Sequence, residues 1–230
     1  MDKLNKTKKY IVLIGVLFLL PITFLVVLAK MGEHKFNTLP YMYEEGIQDI
    51  PFGESPDWNR VHKLPDFSLT NHLGNEFNLD SLKGKIWIVS FFATNSEYVL
   101  NATKQLLSVN YRYRDQKDIG ILSLSLDPEH DTPEIMNTYI EQNIQYNVSS
   151  DKWQFLTGEE SAIRQFMSDG FLLKDTSKDI ATFYIVDFEF NIRGRYNANF
   201  DDDMKHIIED VALLKKEYDV KAYKERKNEE

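Results

Sequence analysis

Residues 86–107, IWIVSFFATNSEYVLNATKQLL, decide how this chain folds. Seven nearly continuous apolar residues, 86–92, mark a strand covered on both faces, because a strand wet on one face alternates with polar residues. Thr94, Asn95, Ser96 and Glu97 follow as a sharp polar turn. From Val99 to about Tyr113 apolar residues then recur at the spacing of one helical face. A buried strand that turns into an amphipathic helix is the repeating piece of a sheet with helices packed on it.

The flanking sequence repeats that piece. Ile119-Gly-Ile-Leu-Ser-Leu-Ser-Leu126 is a second buried strand, and Asp131-Thr-Pro-Glu134 opens a second helix with Thr132 as cap and Pro133 at the first helical position. Its apolar residues Ile135, Met136, Tyr139 and Ile140 share one face. Upstream, residues 67–70 and 76–79 flank Asn71-His-Leu-Gly74, a hairpin signal with glycine in the turn. Downstream, residues 153–156 form a short strand, 158–161 open a helix running to about Ser168, and strands at 181–186 and 192–196 pair as a hairpin. The closing helix starts near Asp201, with Met204, Ile207, Ile208, Val211 and Leu214 on one face, and Asp201, Asp202 and Asp203 suit its first turn. Two βα units, a hairpin and a terminal helix predict a single thioredoxin-like α/β domain over residues 65–215, a central mixed sheet flanked by helices. Residues 30–64 hold Pro40, Pro51 and Pro56 and show neither period, so they read as a tether that packs partly on the domain. Residues 216–230 read as a charged tail that frays or projects as helix.

Residues 10–29, YIVLIGVLFLLPITFLVVLA, carry no charge. As a helix they would span about 30 Å, the thickness of a bilayer core. Lys3, Lys6, Lys8 and Lys9 in the basic segment 1–9 place the N-terminus inside and the domain outside the cytoplasmic membrane, on the periplasmic side. Val27-Leu28-Ala29 resembles a signal cleavage site, but the apolar run exceeds the usual 7–15 residues of a signal peptide, which favours a retained single-pass anchor. Five lysines against Asp2 leave +4 on the first 30 residues, so the other 200 carry −13 of the chain's net −9. Such an acidic domain is a poor nucleic-acid binder.

The chain has no cysteine, hence no disulfide, no thiolate metal ligand, no thiol nucleophile and no site for a lipoprotein acyl group. The histidines form no paired zinc signature. Asp127, Glu129, His130 and Asp131 share one loop, where the two aspartates are expected to shape the strand-to-helix turn by local bonds. Met31 and Met42 are too few for a thioether copper trap, and Met42 between Tyr41 and Tyr43 reads as aromatic packing. Asn101-Ala-Thr103 and Asn147-Val-Ser149 match the glycosylation triplet and are discounted as chance. Ser96 lacks a nucleophile-elbow context, and no glycine-rich phosphate loop is present.

The element order and several local sequences together resemble the Sco/SenC family, membrane-anchored thioredoxin-fold proteins that deliver copper to, or reduce, the copper site of cytochrome c oxidase during assembly. Leu124-Ser-Leu-Asp127-Pro128-Glu-His-Asp131-Thr132-Pro133-Glu134 is close to the family's S-x-D-P-x-x-D-T-P motif, and Asp151-Lys-Trp153-Gln-Phe-Leu156-Thr157-Gly158 matches its W-x-F-L-T-G segment. Ala181-Thr-Phe-Tyr-Ile-Val-Asp187 fits the strand after its metal histidine, and the likeness covers roughly residues 60–215. The family's chemistry lies in a T-x-C-P-x-x-C-P turn and a distant histidine. Here the turn reads Thr94-Asn95-Ser96-Glu97-Tyr98-Val99-Leu100-Asn101, so Ser96 and Leu100 fall at the cysteine positions, and Asp179 falls at the histidine position. A hydroxyl, an aliphatic chain and one carboxylate make no tight copper site, and thiol–disulfide exchange needs a thiolate.

The resemblance therefore implies a degenerate member: a non-catalytic binding or assembly factor near respiratory oxidase, without cofactor. Its partners are expected to be the membrane, through residues 10–29, and a protein, either an oxidase subunit or a Sco-like paralogue. The expected contact surface is Phe92, Thr94, Ser96, Tyr98 and Leu100. Two other readings stand beside it: a copper chaperone using other ligands such as His130 or His62, and an enzyme with new chemistry at the old site.

Overall fold

The computed structural model describes residues 21, 23–24, 38–51, 54–144, 151–173 and 181–229. Over the described residues the strands are β1 (Tyr41–Tyr43), β2 (Gly46–Gln48), β3 (Ser68–Asn71), β4 (Glu76–Asn78), β5 (Ile86–Phe92), β6 (Ile119–Ser125), β7 (Trp153–Thr157), β8 (Thr182–Val186) and β9 (Ile192–Asn197). The helices are α1 (Val99–Arg112), α2 (Pro133–Asn143), α3 (Glu160–Phe171) and α4 (Asp201–Glu229), and a 3₁₀ turn spans Leu79–Leu82. Seven strands make one mixed sheet in the order β4-β3-β7-β6-β5-β8-β9, with β5, β6 and β7 parallel and the other pairings antiparallel. This is the thioredoxin-like architecture expected from the order of elements.

All seven residues of β5 and of β6 are buried, which is why both run almost without polar residues. Ile86, Ile88 and Phe92 face a core completed by Val99, Leu106 and Val109 of α1, Met136 and Tyr139 of α2, and Ile207, Val211 and Leu214 of α4. Trp87, Val89 and Phe91 face the second core, with Ile163, Phe166 and Phe171 of α3 and Leu82 of the 3₁₀ turn. Trp87 donates from Nε1 to the Leu82 carbonyl at 2.8 Å, and its ring lies over Gly120, its register partner on β6. A Cβ at position 120 would approach that ring to 2.6 Å, so only glycine fits. Helix α2 starts as expected, with Thr132 Oγ1 accepting from Ile135 N and Pro133 in the first turn.

One region differs from the sequence reading. Within the segment read as a tether, β1 and β2 form an antiparallel hairpin closed by Gly46 at φ +120°, and Tyr41, Met42 and Tyr43 are all buried. Contacts join this hairpin to the rest in one compact unit, Thr38–Glu230, so the segment packs on the domain. Three-residue strands are too short to show a period of two, so no pattern betrays them. The fully buried Arg193 of β9 holds this hairpin: it donates to the carbonyls of Leu39 and Pro40, pairs with Asp187 and Glu217 at 3.1 Å each, and stacks on Tyr41 with 3.8 Å from guanidinium carbon to ring centre. At the other terminus α4 continues as helix to Glu229, and Tyr218 packs edge-on against Phe188.

The stretch 10–29 lies outside the described residues except for Pro21, Thr23 and Phe24, which are helical. Among the described residues no helix is long and apolar enough to cross a membrane. Met31, Asn147-Val-Ser149 and Asp179 also lie outside the described residues.

Candidate functional site

Because β5, β6 and β7 are parallel, the loops that follow them meet at one end of the sheet. The β5–α1 turn and the β6–α2 loop are neighbours there, and Leu126 N donates to the Phe92 carbonyl at 2.7 Å. Asp131 locks the two together. Its carboxylate has no exposed surface, accepts from Thr94 N at 3.2 Å and from the Thr94 hydroxyl through Oδ1, and accepts from Ser125 Oγ at 2.6 Å through Oδ2. A second strap joins Asn95 Nδ2 to Asp127 Oδ2 at 3.0 Å. The aspartates of the D-P-x-x-D-T-P segment thus shape the turn, but only the bond from Ser125 is local as expected; the others are donated by Thr94 and Asn95, more than thirty residues away. A Thr before the turn and an Asp before the α2 cap are the signal that would have paired them.

Ser96 is half-buried and closes the turn locally: its N–H donates to the Ala93 carbonyl at 2.9 Å, and its hydroxyl oxygen accepts from Tyr98 N at 3.2 Å. Tyr98 precedes α1 without a side-chain cap, and Glu97 beside it raises the phenol's pKa by a hydrogen bond. Tyr98 and Leu100 are 53% and 49% exposed. Phe92, expected on the same surface, is only 4% exposed; it is the last residue of β5, faces the core and meets Phe155 edge-on at 5.3 Å. Thr94, Ser96, Tyr98 and Leu100 are therefore brought to one place, Phe92 lies beneath them, and Asp179 falls outside the described residues.

Chemically the turn offers hydroxyls, a phenol and an aliphatic chain. No thiol is available anywhere in the chain, and Ser96 Oγ is engaged with backbone rather than with an imidazole or carboxylate that would make it a nucleophile. Among the described residues no group of three histidine, aspartate or glutamate side chains is placed to hold a metal ion. In the loop with His130, Asp131 is wholly engaged by Thr94 and Ser125. These donors fit neither soft copper(I) nor thiol exchange.

The profile described as SCO1/SenC matches residues 57–214. The SCO1 protein homolog of Bacillus subtilis (strain 168) is 29% identical over 160 residues, 65% of this chain and 81% of its own length. Among solved structures, BsSco, described as a disulfide-switch member of the Sco family of cytochrome c oxidase assembly proteins, superposes with a TM-score of 0.56 at 28% identity, covering 66% of this chain and 93% of its own. A SCO1/SenC family lipoprotein from Bacillus anthracis str. Ames gives 0.55 at 26%, covering 66% and 95%. With the sheet order, the strapped β5–α1 turn and a profile match over more than half its length, the chain belongs to the SCO1/SenC family.

Proposed function

We propose that this protein is a membrane-anchored Sco-type scaffold that has lost the copper and redox ligands and acts as a non-catalytic binding or assembly factor for respiratory cytochrome oxidase. One observation carries the reading: the turn is built and strapped in detail, yet it contains no thiol. The motif alignment sets Ser96 and Leu100 at the cysteine positions and Asp179 at the histidine position. A disulfide switch of the kind described for BsSco needs two cysteines, and this chain has none. The buried Asp131 beneath Thr94 holds a shape rather than supporting a reaction, because nothing in the turn can exchange electrons or hold copper(I).

The anchor is assigned to residues 10–29, with the N-terminus inside and the domain on the periplasmic side; a lipid-anchored form like the B. anthracis lipoprotein would need a cysteine to acylate. The partner is a protein, an oxidase subunit or a cysteine-bearing Sco-like paralogue, met through Thr94, Ser96, Tyr98 and Leu100. Copper(I) titration of the full chain in neutral detergent, against a competing chelator, tests the loss of ligands. No bound copper should survive the competitor; a stoichiometric, competition-resistant site would overturn the reading.

A further inference from the structure

Exposed apolar residues gather at the end of the sheet where the β5–α1 turn lies. Tyr98 and Leu100 stand at the start of α1, and Phe200, 61% exposed, immediately precedes α4. Only β8 separates β5 from β9, and both run toward this end, an offset of about 10 Å at ordinary strand spacing. Both helices pack on the same face of the sheet, where Val99 and Met204 belong to one core. Single exposed apolar residues need no explanation, whereas a group rimmed mostly by charge of one sign has the anatomy of an interface.

The rim here is mostly acidic. Glu97, Glu129, Glu134 and Asp201 are exposed around the starts of the helices on this face, and Lys104, one turn beyond Leu100 on α1, is the exposed basic residue among them. Arg164 and Lys205, the basic residues near the starts of α3 and α4, are already held by Glu160 and by Asp202. Lys83, Lys85, Lys117 and Lys152 precede β5, β6 and β7 and so lie at the opposite end. Helix dipoles account for Glu134 and Asp201, which sit in first turns. They do not account for Glu129, in the β6–α2 loop, or for three exposed apolar residues.

We propose that this end is a docking surface for a protein that presents an apolar side chain ringed by lysine or arginine. The inference rests on the reading of the turn as a contact surface and adds the chemistry of the partner. A second copy of the chain is disfavoured, since 200 residues carrying −13 repel their like. An anionic lipid surface is disfavoured for the same reason.

The test uses the full chain in neutral detergent and two short peptides sharing one pattern of leucine and phenylalanine, with lysine at the intervening positions in one and glutamate in the other. Binding is followed by amide resonances and by titration at several salt concentrations. The lysine peptide should shift residues 97–101, 129 and 199–201, and the glutamate peptide should not. Reversing Glu97 and Glu129 together to lysine should weaken binding about tenfold at low salt and flatten its salt dependence. Leu100→Ala should weaken binding while leaving the salt dependence unchanged. Thermal unfolding checks that each variant folds, and Glu141→Lys with Glu225→Lys, on other surfaces, should bind as the natural chain does. Equal binding of both peptides, shifts centred elsewhere, or undiminished binding by the doubly reversed variant would overturn the proposal. Should the peptides fail while copper binding is also absent, the docking surface alone falls; a tight copper site would remove the functional reading and leave the peptide result standing.

Discussion

Asp131 is the residue on which the shape of the turn depends. A carboxylate with no solvent contact is costly to bury, and it is tolerated because three donors converge on it. Asp131→Ala would strip those donors of their acceptor and leave the hydroxyls of Thr94 and Ser125 inside the protein. The expected loss is about 2–4 kcal/mol, from the usual worth of hydrogen bonds to a charged group, read from the urea midpoint. Asp131→Asn, which keeps an acceptor oxygen, should lose about half as much. Equal stability of the alanine variant would show that the strap is ornamental. At this scale the sequence was legible for chemistry and not for partners: two aspartates in a loop announce turn-forming bonds, but their acceptance of Thr94 and Asn95 depends on β5 and β6 lying in register. Phe92 shows the same limit, since an apolar run does not tell which of its last residues turns inward.

Among elements, the join of β3 to β7 and α2 is the one that should respond to pH. His72 N donates to the Phe155 carbonyl at 2.8 Å, and its Nδ1 accepts from Phe155 N at 3.3 Å, so the neutral ring carries its proton on Nε2. Asn137 of α2 donates to the His72 carbonyl at 2.6 Å. Burial holds the folded-state pKa of His72 below the ordinary 6.5. The unfolded chain therefore takes up the proton first as pH falls: the contribution is complete above 6.5 and is lost as pH drops through 6.5 toward the lowered value. Urea midpoints of the natural chain should fall across that window more steeply than those of His72→Asn; parallel profiles would show that His72 does not titrate between the two states. Elements whose burial is dictated by their own composition were readable, and β5 and β6 appear where their apolar runs are. The β1–β2 hairpin was not, because Tyr41 is covered by Arg193 of β9, which lies about 150 residues further along the chain and also holds the Leu39 carbonyl.

Taken whole, the molecule keeps its family's frame, a seven-stranded mixed sheet with the strapped turn at one end. Arg193 with Asp187 and Glu217 closes the basal side, joining the start of the domain to its last helix. That frame was legible in the order of strands and helices; what the site lacks was legible only once the resemblance supplied the expected ligands. The central claim is that the copper centre was lost by side-chain replacement on an intact scaffold. Restoring it tests that claim most directly: copper(I) is titrated, against a competing chelator, into the natural chain and into a variant carrying Ser96→Cys, Leu100→Cys and Asp179→His. The natural chain should hold no competition-resistant copper, and each restored chain should hold one bound ion. A tight site in the natural chain, or none in a folded restored variant, would contradict that claim.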